Sequence, residues 1–159
     1  MRITRYNTKI NRETSRIELV REKAVNYSSY KKLDSPELVT KALNELLDLQ
    51  NMSEEYLYML TLNSKSDISG IFEIGHGTMD ACFTSPREIF SKALLVGAVG
   101  IILAHNHPSG YSEPSMADFS LTKRIKEAGK LLNVELLDHI VVGNNCYLSL
   151  CEEGILEDL

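Results

Sequence analysis

The sequence has no tryptophan, only three cysteines and no long apolar run. Cys82, Cys146 and Cys151 are odd in number and form no Cys-x-x-Cys pair, which disfavours a disulfide framework and predicts free, buried thiols in a reducing compartment. No apolar stretch approaches the ~20 residues that a membrane-spanning helix needs, and residues 1–14 contain no apolar signal-peptide core. These features predict a cytoplasmic protein that makes no membrane contact.

The sequence also has no excess of positively charged residues. The 17 Lys and Arg residues are outnumbered by 22 Asp and Glu residues, which gives a net charge of -5 and a pI near 5.4. This balance does not favour a surface built for the phosphate backbone of nucleic acids, although it leaves a local basic patch open. At 159 residues, with 43% hydrophobic residues and no repeats, the chain is predicted to be one domain, at 35–159, preceded by a small N-terminal extension at 1–34.

Hydrophobic periodicity predicts an α/β fold. Residues 1–14 are polar and basic and are interpreted as a loose arm or an edge strand, with the arm favoured. One further strand, at 15–22, completes the extension. Beyond it, strands are predicted at 56–62, 68–75, 99–107, 134–143 and 146–150, a short piece near 78–84, and helices at 35–51, 85–97 and 115–132. The order of apolar strands and amphipathic helices predicts a covered mixed sheet.

One stretch, from His105 to Asp118, has the composition of a metal site. In an extended segment His105 and His107 point the same way, while Asn106 points back and is expected to bond neighbouring backbone. A turn at Pro108–Gly110 then leads to the next helix, with Asp118 in its first turn. Two imidazoles and one carboxylate can therefore meet on a single ion. Three protein ligands and one open position are typical of a catalytic zinc.

The same residues have a plainer interpretation. Asp118 lies three residues after Ser115, so the two could form no more than a capping box at the start of a helix. A His-x-His pair taken alone is a weak metal signal. What favours the metal interpretation is the combination of an apolar strand ending in His-x-His-Pro, a glycine turn, Pro-Ser and a following acid.

The stretch resembles the JAMM motif of MPN-domain metalloproteases, in which a distant Glu precedes His-x-His-Pro-x-Gly and Pro-Ser-x-x-Asp. Within that superfamily the chain resembles the RadC family over about residues 54–154. The segments that carry this resemblance are 62–65, 77–78, 85–90, 102–110 and 137–143. The resemblance implies a single α/β domain of MPN type, with a curved mixed sheet flanked by α-helices.

The resemblance also implies a zinc-dependent hydrolase that cleaves an amide bond in an unidentified peptide or protein substrate. His105, His107 and Asp118 would hold one Zn²⁺ per chain, although Fe²⁺ or Mn²⁺ suits the same nitrogen and oxygen ligands. Glu55 would be the general base, with the adjacent Glu54 as its rival. Ser115 would donate a hydrogen bond to the oxyanion as well as cap a helix.

Other functions remain open. The RadC name carries an association with DNA repair, which makes a nucleic-acid accessory factor the main alternative, but the first 50 residues do not match the longer RadC layout with its helix-hairpin-helix segment. A scaffold with a vestigial site would lack a ligand, and none is missing. Zinc deamination is disfavoured because the chain has no Pro-Cys-x-x-Cys.

Two further histidines and the oligomeric state complete the predictions. His76 lies between Gly75 and Gly77 and is predicted to be an exposed loop residue. His139 lies in one of the segments that resemble the RadC family, 137–143, and is predicted to be buried and hydrogen-bonded, with a role beside the metal ligands left open. The sequence does not predict an oligomeric state.

Overall fold

A computed structural model describes residues 2–26, 32–77 and 84–159. Within these ranges seven strands form one sheet, accompanied by four α-helices and a short 3-10 turn at Leu49–Asn51. The strands are β1 (Arg2–Asn11), β2 (Arg16–Asn26), β3 (Tyr56–Leu62), β4 (Ile68–His76), β5 (Gly100–Asn106), β6 (Glu135–Val142) and β7 (Tyr147–Ser149). The helices are α1 (Pro36–Leu47), α2 (Pro86–Leu95), α3 (Met116–Leu132) and α4 (Ile155–Asp158).

The sheet is mixed, as the sequence predicts. Its strand order is β2-β1-β4-β3-β5-β6-β7. Strands β1 and β4 run parallel, as do β5 and β6, while the other neighbours are antiparallel. Because β5 and β6 are parallel, a crossover connection that contains α3 joins them. This connection begins at the C-terminal end of β5. The predicted metal motif lies at this point.

Both faces of the interior strand β5 are covered. All seven of its residues are buried. Ile101 and Leu103 belong to an apolar core shared with α2 and α3, while Ile102 and Ala104 belong to a second core that α1 covers. Side chains alternate along a strand, so His105 continues the α3 face and Asn106 continues the α1 face. The fold thereby assigns opposite faces to these two neighbours.

Helix starts follow their predicted signals. Ser35 accepts a hydrogen bond from the Leu38 N–H and precedes Pro36, the first residue of α1. Ser85 and Glu88 form a reciprocal capping box at α2, again with proline in the first turn. Pairs of this kind satisfy backbone N–H groups that have no partner within the helix. All three predicted helices are present, although the one predicted at 35–51 ends at Leu47 and a 3-10 turn follows it, and α4 is an additional short helix.

The N-terminal part of the chain differs from its prediction. The sequence favoured a loose arm followed by one strand, but the structure has two long strands that pair antiparallel. β1 is also not an edge strand, because β2 and β4 flank it. Polar strands of this kind alternate only weakly in hydrophobicity, so pairing with neighbouring strands, rather than their own sequence pattern, determines their structure. The proposed division into an extension and a domain stays a prediction.

Three remaining predictions concern the cysteines, the piece near 78–84 and the membrane. Cys146 and Cys151 are exposed, so the prediction of buried thiols is wrong for these two. Cys82 and nearly all of the segment 78–84 lie outside the described residues. Among the described residues, no helix is long and apolar enough to cross a membrane.

Candidate metal centre

Three side chains from two elements converge beyond the C-terminal end of β5. His105 lies on β5, His107 follows it, and Asp118 lies in the first turn of α3. The His105 and His107 Nε2 atoms are 3.0 Å apart. Asp118 Oδ1 lies 3.2 Å from His105 Nε2, and Asp118 Oδ2 lies 3.5 Å from His107 Nε2. The structure therefore brings together the three residues that the sequence predicts as metal ligands.

The spacing of these atoms fits a small metal ion. Nitrogen and oxygen ligands at zinc bond lengths in a tetrahedral arrangement lie about 3.3–3.5 Å from one another. The separations of 3.0, 3.2 and 3.5 Å are close to this range, with the first two slightly shorter, although the two that involve Asp118 end on different carboxylate oxygens. Imidazole nitrogen and carboxylate oxygen are lone-pair groups, and facing lone pairs repel unless a cation or a proton lies between them. This group can bind a metal ion.

The proton on His107 is fixed by a backbone carbonyl. His107 Nδ1 lies 3.1 Å from the carbonyl oxygen of Tyr111. A carbonyl oxygen can only accept, so the Nδ1 atom must carry the hydrogen. In the neutral ring the lone pair is then on Nε2, the atom that faces Asp118.

The loop between β5 and α3 is attached to the turn between β6 and β7. The carbonyl oxygen of Gly110 accepts a hydrogen bond of 2.9 Å from the Asn144 N–H. Gly143 packs so closely here that an added Cβ would lie 2.5 Å from the same oxygen. Gly110 itself has a φ of +83°, a conformation that glycine adopts at little cost. These contacts hold the segment that connects His107 to α3.

Ser115 and Asp118 form a capping box at the start of α3. Asp118 Oδ2 accepts hydrogen bonds of 2.7 Å from both the N–H and the hydroxyl of Ser115. Asp118 is thus held at the helix start and faces the two histidines at the same time. The capping box predicted by the plainer interpretation is therefore present, and it is compatible with the metal interpretation. The Ser115 hydroxyl would have to turn away from Asp118 to donate to an oxyanion.

Electrostatics in this group favour a carboxylate on Asp118. Burial alone would raise the pKa of Asp118, but its contacts with His105 and His107, which donate hydrogen bonds to the carboxylate when the rings are protonated, outweigh burial and lower the pKa far below its usual range. The hydrogen bond with Asp118 raises the pKa of His107, and the negative charge of Glu55 adds to this effect. Glu55 is therefore close enough to influence His107 electrostatically.

Glu55 and Glu54 have different surroundings. Leu57 on β3 pairs with His105 on β5 in an antiparallel register, so Glu55, two residues earlier, lies at the same end of the sheet as His107. Glu55 is buried, with 9% of its surface exposed, while Glu54 is exposed. Alternation along the chain puts Glu55 on the same face as Leu57 and His105. This placement favours Glu55 over Glu54 as a partner of the three converging residues.

Asn106 attaches the segment that carries Glu55 to β5. Its side-chain oxygen accepts a hydrogen bond of 2.8 Å from the Tyr56 N–H, and its amide nitrogen donates to the carbonyl oxygens of Met52 and Glu54 at 3.3 and 3.0 Å. Asn106 is fully buried. The prediction that it faces away from the histidines and bonds backbone is confirmed, and the backbone that it bonds lies on both sides of Glu55.

Replacing Asn106 with alanine is expected to lower the free energy of unfolding by about 2–4 kcal/mol, because each buried polar group left without a partner costs about 1–3 kcal/mol. Urea denaturation measures this loss. Asn51→Ala, at an exposed asparagine in the same region, is the control and should stay within about 0.5 kcal/mol of the original chain. Equal effects of the two substitutions would contradict the bridging role of Asn106.

Sequence reasoning missed one neighbour of the three residues, Thr122, and left the role of a second, His139, open. His139 on β6 is fully buried, and burial lowers its pKa to about 3. Its Nε2 atom lies 2.9 Å from His105 Nδ1, and its Nδ1 atom lies 2.7 Å from Thr122 Oγ1. The position of Thr122 one helical turn after Asp118 is the sequence signal that could have indicated it.

The remaining histidine and the exposed cysteines lie outside the converging group. His76 is an exposed residue at the end of β4, where it stacks on Tyr56 and contacts Glu73. Its predicted exposure is confirmed, although it ends a strand rather than occupying a loop. Cys146 lies against the β5–α3 loop, with its Sγ 3.6 Å from the Gly110 carbonyl oxygen.

Comparison with known proteins identifies similar chains. A family model described as RadC-like JAB domain matches residues 33–155. A UPF0758 protein of Clostridium acetobutylicum is 38% identical over 133 residues, which cover 82% of this chain and 58% of the relative. A UPF0758 protein of Alkaliphilus metalliredigens is 41% identical over 125 residues, which cover 79% of this chain and 53% of the relative.

A third relative, a UPF0758 protein of Clostridium kluyveri, is 35% identical over 147 residues, which cover 91% of this chain and 64% of the relative. The chain therefore spans between about half and two thirds of the length of these three proteins. Their names state no activity.

Proposed function

Since this chain belongs to the family of RadC-like JAB domains, we propose that it is a zinc-dependent hydrolase that cleaves an amide bond in a peptide or protein. The observation that carries the proposal is the convergence of His105, His107 and Asp118, whose facing atoms are separated by 3.0–3.5 Å. These residues would hold one zinc ion per chain. When bound, zinc supplies a Lewis acid that polarises a carbonyl and lowers the pKa of water toward 7.

Glu55 has the general-base role in this proposal. It lies at the same end of the sheet as His107, and Asn106 holds the backbone on both sides of it. Its carboxylate would accept a proton from the attacking water and deliver it to the leaving amine, which makes the amine a better leaving group. The burial of Glu55 and the exposure of Glu54 support this choice.

Ser115 has the supporting role of oxyanion donor. It lies at the start of α3, where its hydroxyl hydrogen bonds Asp118. A rotation about its side-chain bond would redirect this hydrogen toward a carbonyl oxygen that develops negative charge. Such donors stabilise the tetrahedral transition state because they hydrogen bond the oxygen on which the charge develops.

Metal content and hydrolysis test the proposal together. The purified chain is analysed for bound metals by elemental mass spectrometry, then stripped with a chelator and reloaded with zinc. Internally quenched peptides of mixed sequence report amide cleavage. We expect about one zinc per chain and cleavage that disappears on stripping and returns with zinc. Failure to bind zinc after loading would contradict the proposal, and salt-sensitive binding to duplex DNA by the same sample would favour the accessory-factor alternative.

A further inference from the structure

Behind the site, a chain of hydrogen bonds connects two of the three converging residues, His105 and Asp118. His105 Nδ1 lies 2.9 Å from His139 Nε2, and His139 Nδ1 lies 2.7 Å from Thr122 Oγ1. The Thr122 hydroxyl donates to the main-chain carbonyl oxygen of Asp118 at 2.6 Å. His105, His139 and Thr122 have 2%, 0% and 0% of their surfaces exposed, so water does not compete for these bonds. The path joins β5, β6 and α3.

The positions of the protons along this path follow from what each group can donate. The Asp118 carbonyl can only accept, so the single hydroxyl proton of Thr122 is directed at it. The Thr122 oxygen must then accept from His139 Nδ1, and because a fully buried imidazole favours its neutral form, this is the single proton of the ring. His139 Nε2 is left as an acceptor, and its partner, His105 Nδ1, must carry a hydrogen.

We propose that His139 and Thr122 are positioning residues that hold His105 with its proton on Nδ1 and its Nε2 lone pair toward His107 and Asp118. This inference rests on the proposed function, because it gives the buried pair a purpose only if Nε2 binds a metal. A ring with the opposite tautomer would present an N–H instead of a lone pair. The path therefore selects the tautomer that can act as a ligand.

The chemistry of this support differs between the two histidines. His107 donates its Nδ1 hydrogen to the main-chain carbonyl of Tyr111, which needs no particular side chain. His105 depends on two specific side chains from β6 and α3. Ligand histidines commonly donate to a carboxylate or a carbonyl, and a carboxylate would add negative charge. A neutral imidazole orients the His105 ring without adding negative charge. A bound cation therefore keeps more of its positive charge.

Two matched pairs of substitutions test the inference on the full chain. Thr122→Val removes the hydroxyl but keeps the shape of the side chain, while Thr122→Ser keeps the hydroxyl. His139→Met removes the acceptor for His105, while His139→Gln keeps an amide oxygen that can accept. Zinc affinity is measured by competition with a chelating dye, and circular dichroism checks that each variant is folded. Loss of a group that orients a ligand typically weakens metal binding 10–100-fold.

We expect Thr122→Val and His139→Met to bind zinc at least about tenfold more weakly, and the Thr122→Ser and His139→Gln variants to stay within about threefold of the original chain. Equal affinities within each pair would overturn the inference. If His139→Met does not fold, the threonine pair decides.

A second measurement does not depend on zinc. Long-range nitrogen–proton correlation spectra of the metal-free chain, labelled with ¹⁵N histidine, report which ring nitrogen of His139 carries the proton. A proton on Nδ1 supports the hydrogen-bond path, and a proton on Nε2 overturns it. An original chain that binds no zinc contradicts the proposed function, and the His139 spectrum then still decides the path.

Discussion

Replacing Glu55 with glutamine is expected to lower the rate of zinc-dependent amide hydrolysis by about 10²–10⁴-fold, the usual contribution of a general base. Glutamine has nearly the same shape as glutamate but cannot accept a proton from water. The expected zinc content is unchanged, since Glu55 is not one of the three converging residues. Steady-state cleavage rates and elemental mass spectrometry on the same samples measure the two quantities.

Glu54→Gln is the matched control for this experiment. The two glutamates are adjacent in the chain, but Glu54 is exposed and Glu55 is buried. The Glu54 variant should retain a rate within about threefold of the original chain, as expected for a surface substitution away from the site. A large loss of rate at Glu54 with little effect at Glu55 would show that Glu54 is the base and would contradict the assignment to Glu55.

Replacing His107 with alanine is expected to remove the bound zinc. The substitution leaves His105 and Asp118, and two ligands are too few for the three-ligand site that a catalytic zinc requires. Zinc content should fall from about one ion per chain to near zero after equilibration with limiting zinc. His107 is only partly buried, with 15% of its side chain exposed, so the variant is expected to fold.

Thermal unfolding provides a second measurement for the same variant. A ligand present at 100 times its dissociation constant stabilises the folded state by about 2.7 kcal/mol, so added zinc should raise the melting temperature of the original chain. The His107 variant should lose this response, while His76→Ala, at an exposed histidine outside the site, should retain it. A zinc response that persists without His107 would place the bound metal elsewhere.

The sequence predicts those parts of the site that depend on neighbouring residues. The alternation along β5 correctly separates His105 from Asn106, and the capping box correctly places Asp118 in the first turn of α3. Both signals extend over a few residues, within the range where strand pleat and helix capping act. The roles of the three converging residues as metal ligands stay predictions.

Contacts between distant segments could not be predicted in the same way. Asn106 bonds backbone about 50 residues earlier in the chain, and His139 reaches His105 across 34 residues and Thr122 across 17. Each contact depends on which strands become neighbours, and the local pattern of hydrophobic residues does not specify this. The pairing of β1 with β4 was missed for the same reason.

The attachment of the N-terminal hairpin has a consequence for how the molecule opens. β1 and β2 pair through ten residue pairs, but the backbone of β1 pairs with β4 at only two, Arg5 with Ile71 and Tyr6 with Phe72, and side-chain contacts such as the stacking of Tyr6 on Phe72 add to this attachment. Segments with few anchoring contacts open as local units, at a lower free energy than global unfolding. Amide hydrogen exchange should therefore be faster in β1 and β2 than in β3 and β5. The hairpin would act as a subdomain that detaches while the rest of the sheet stays intact.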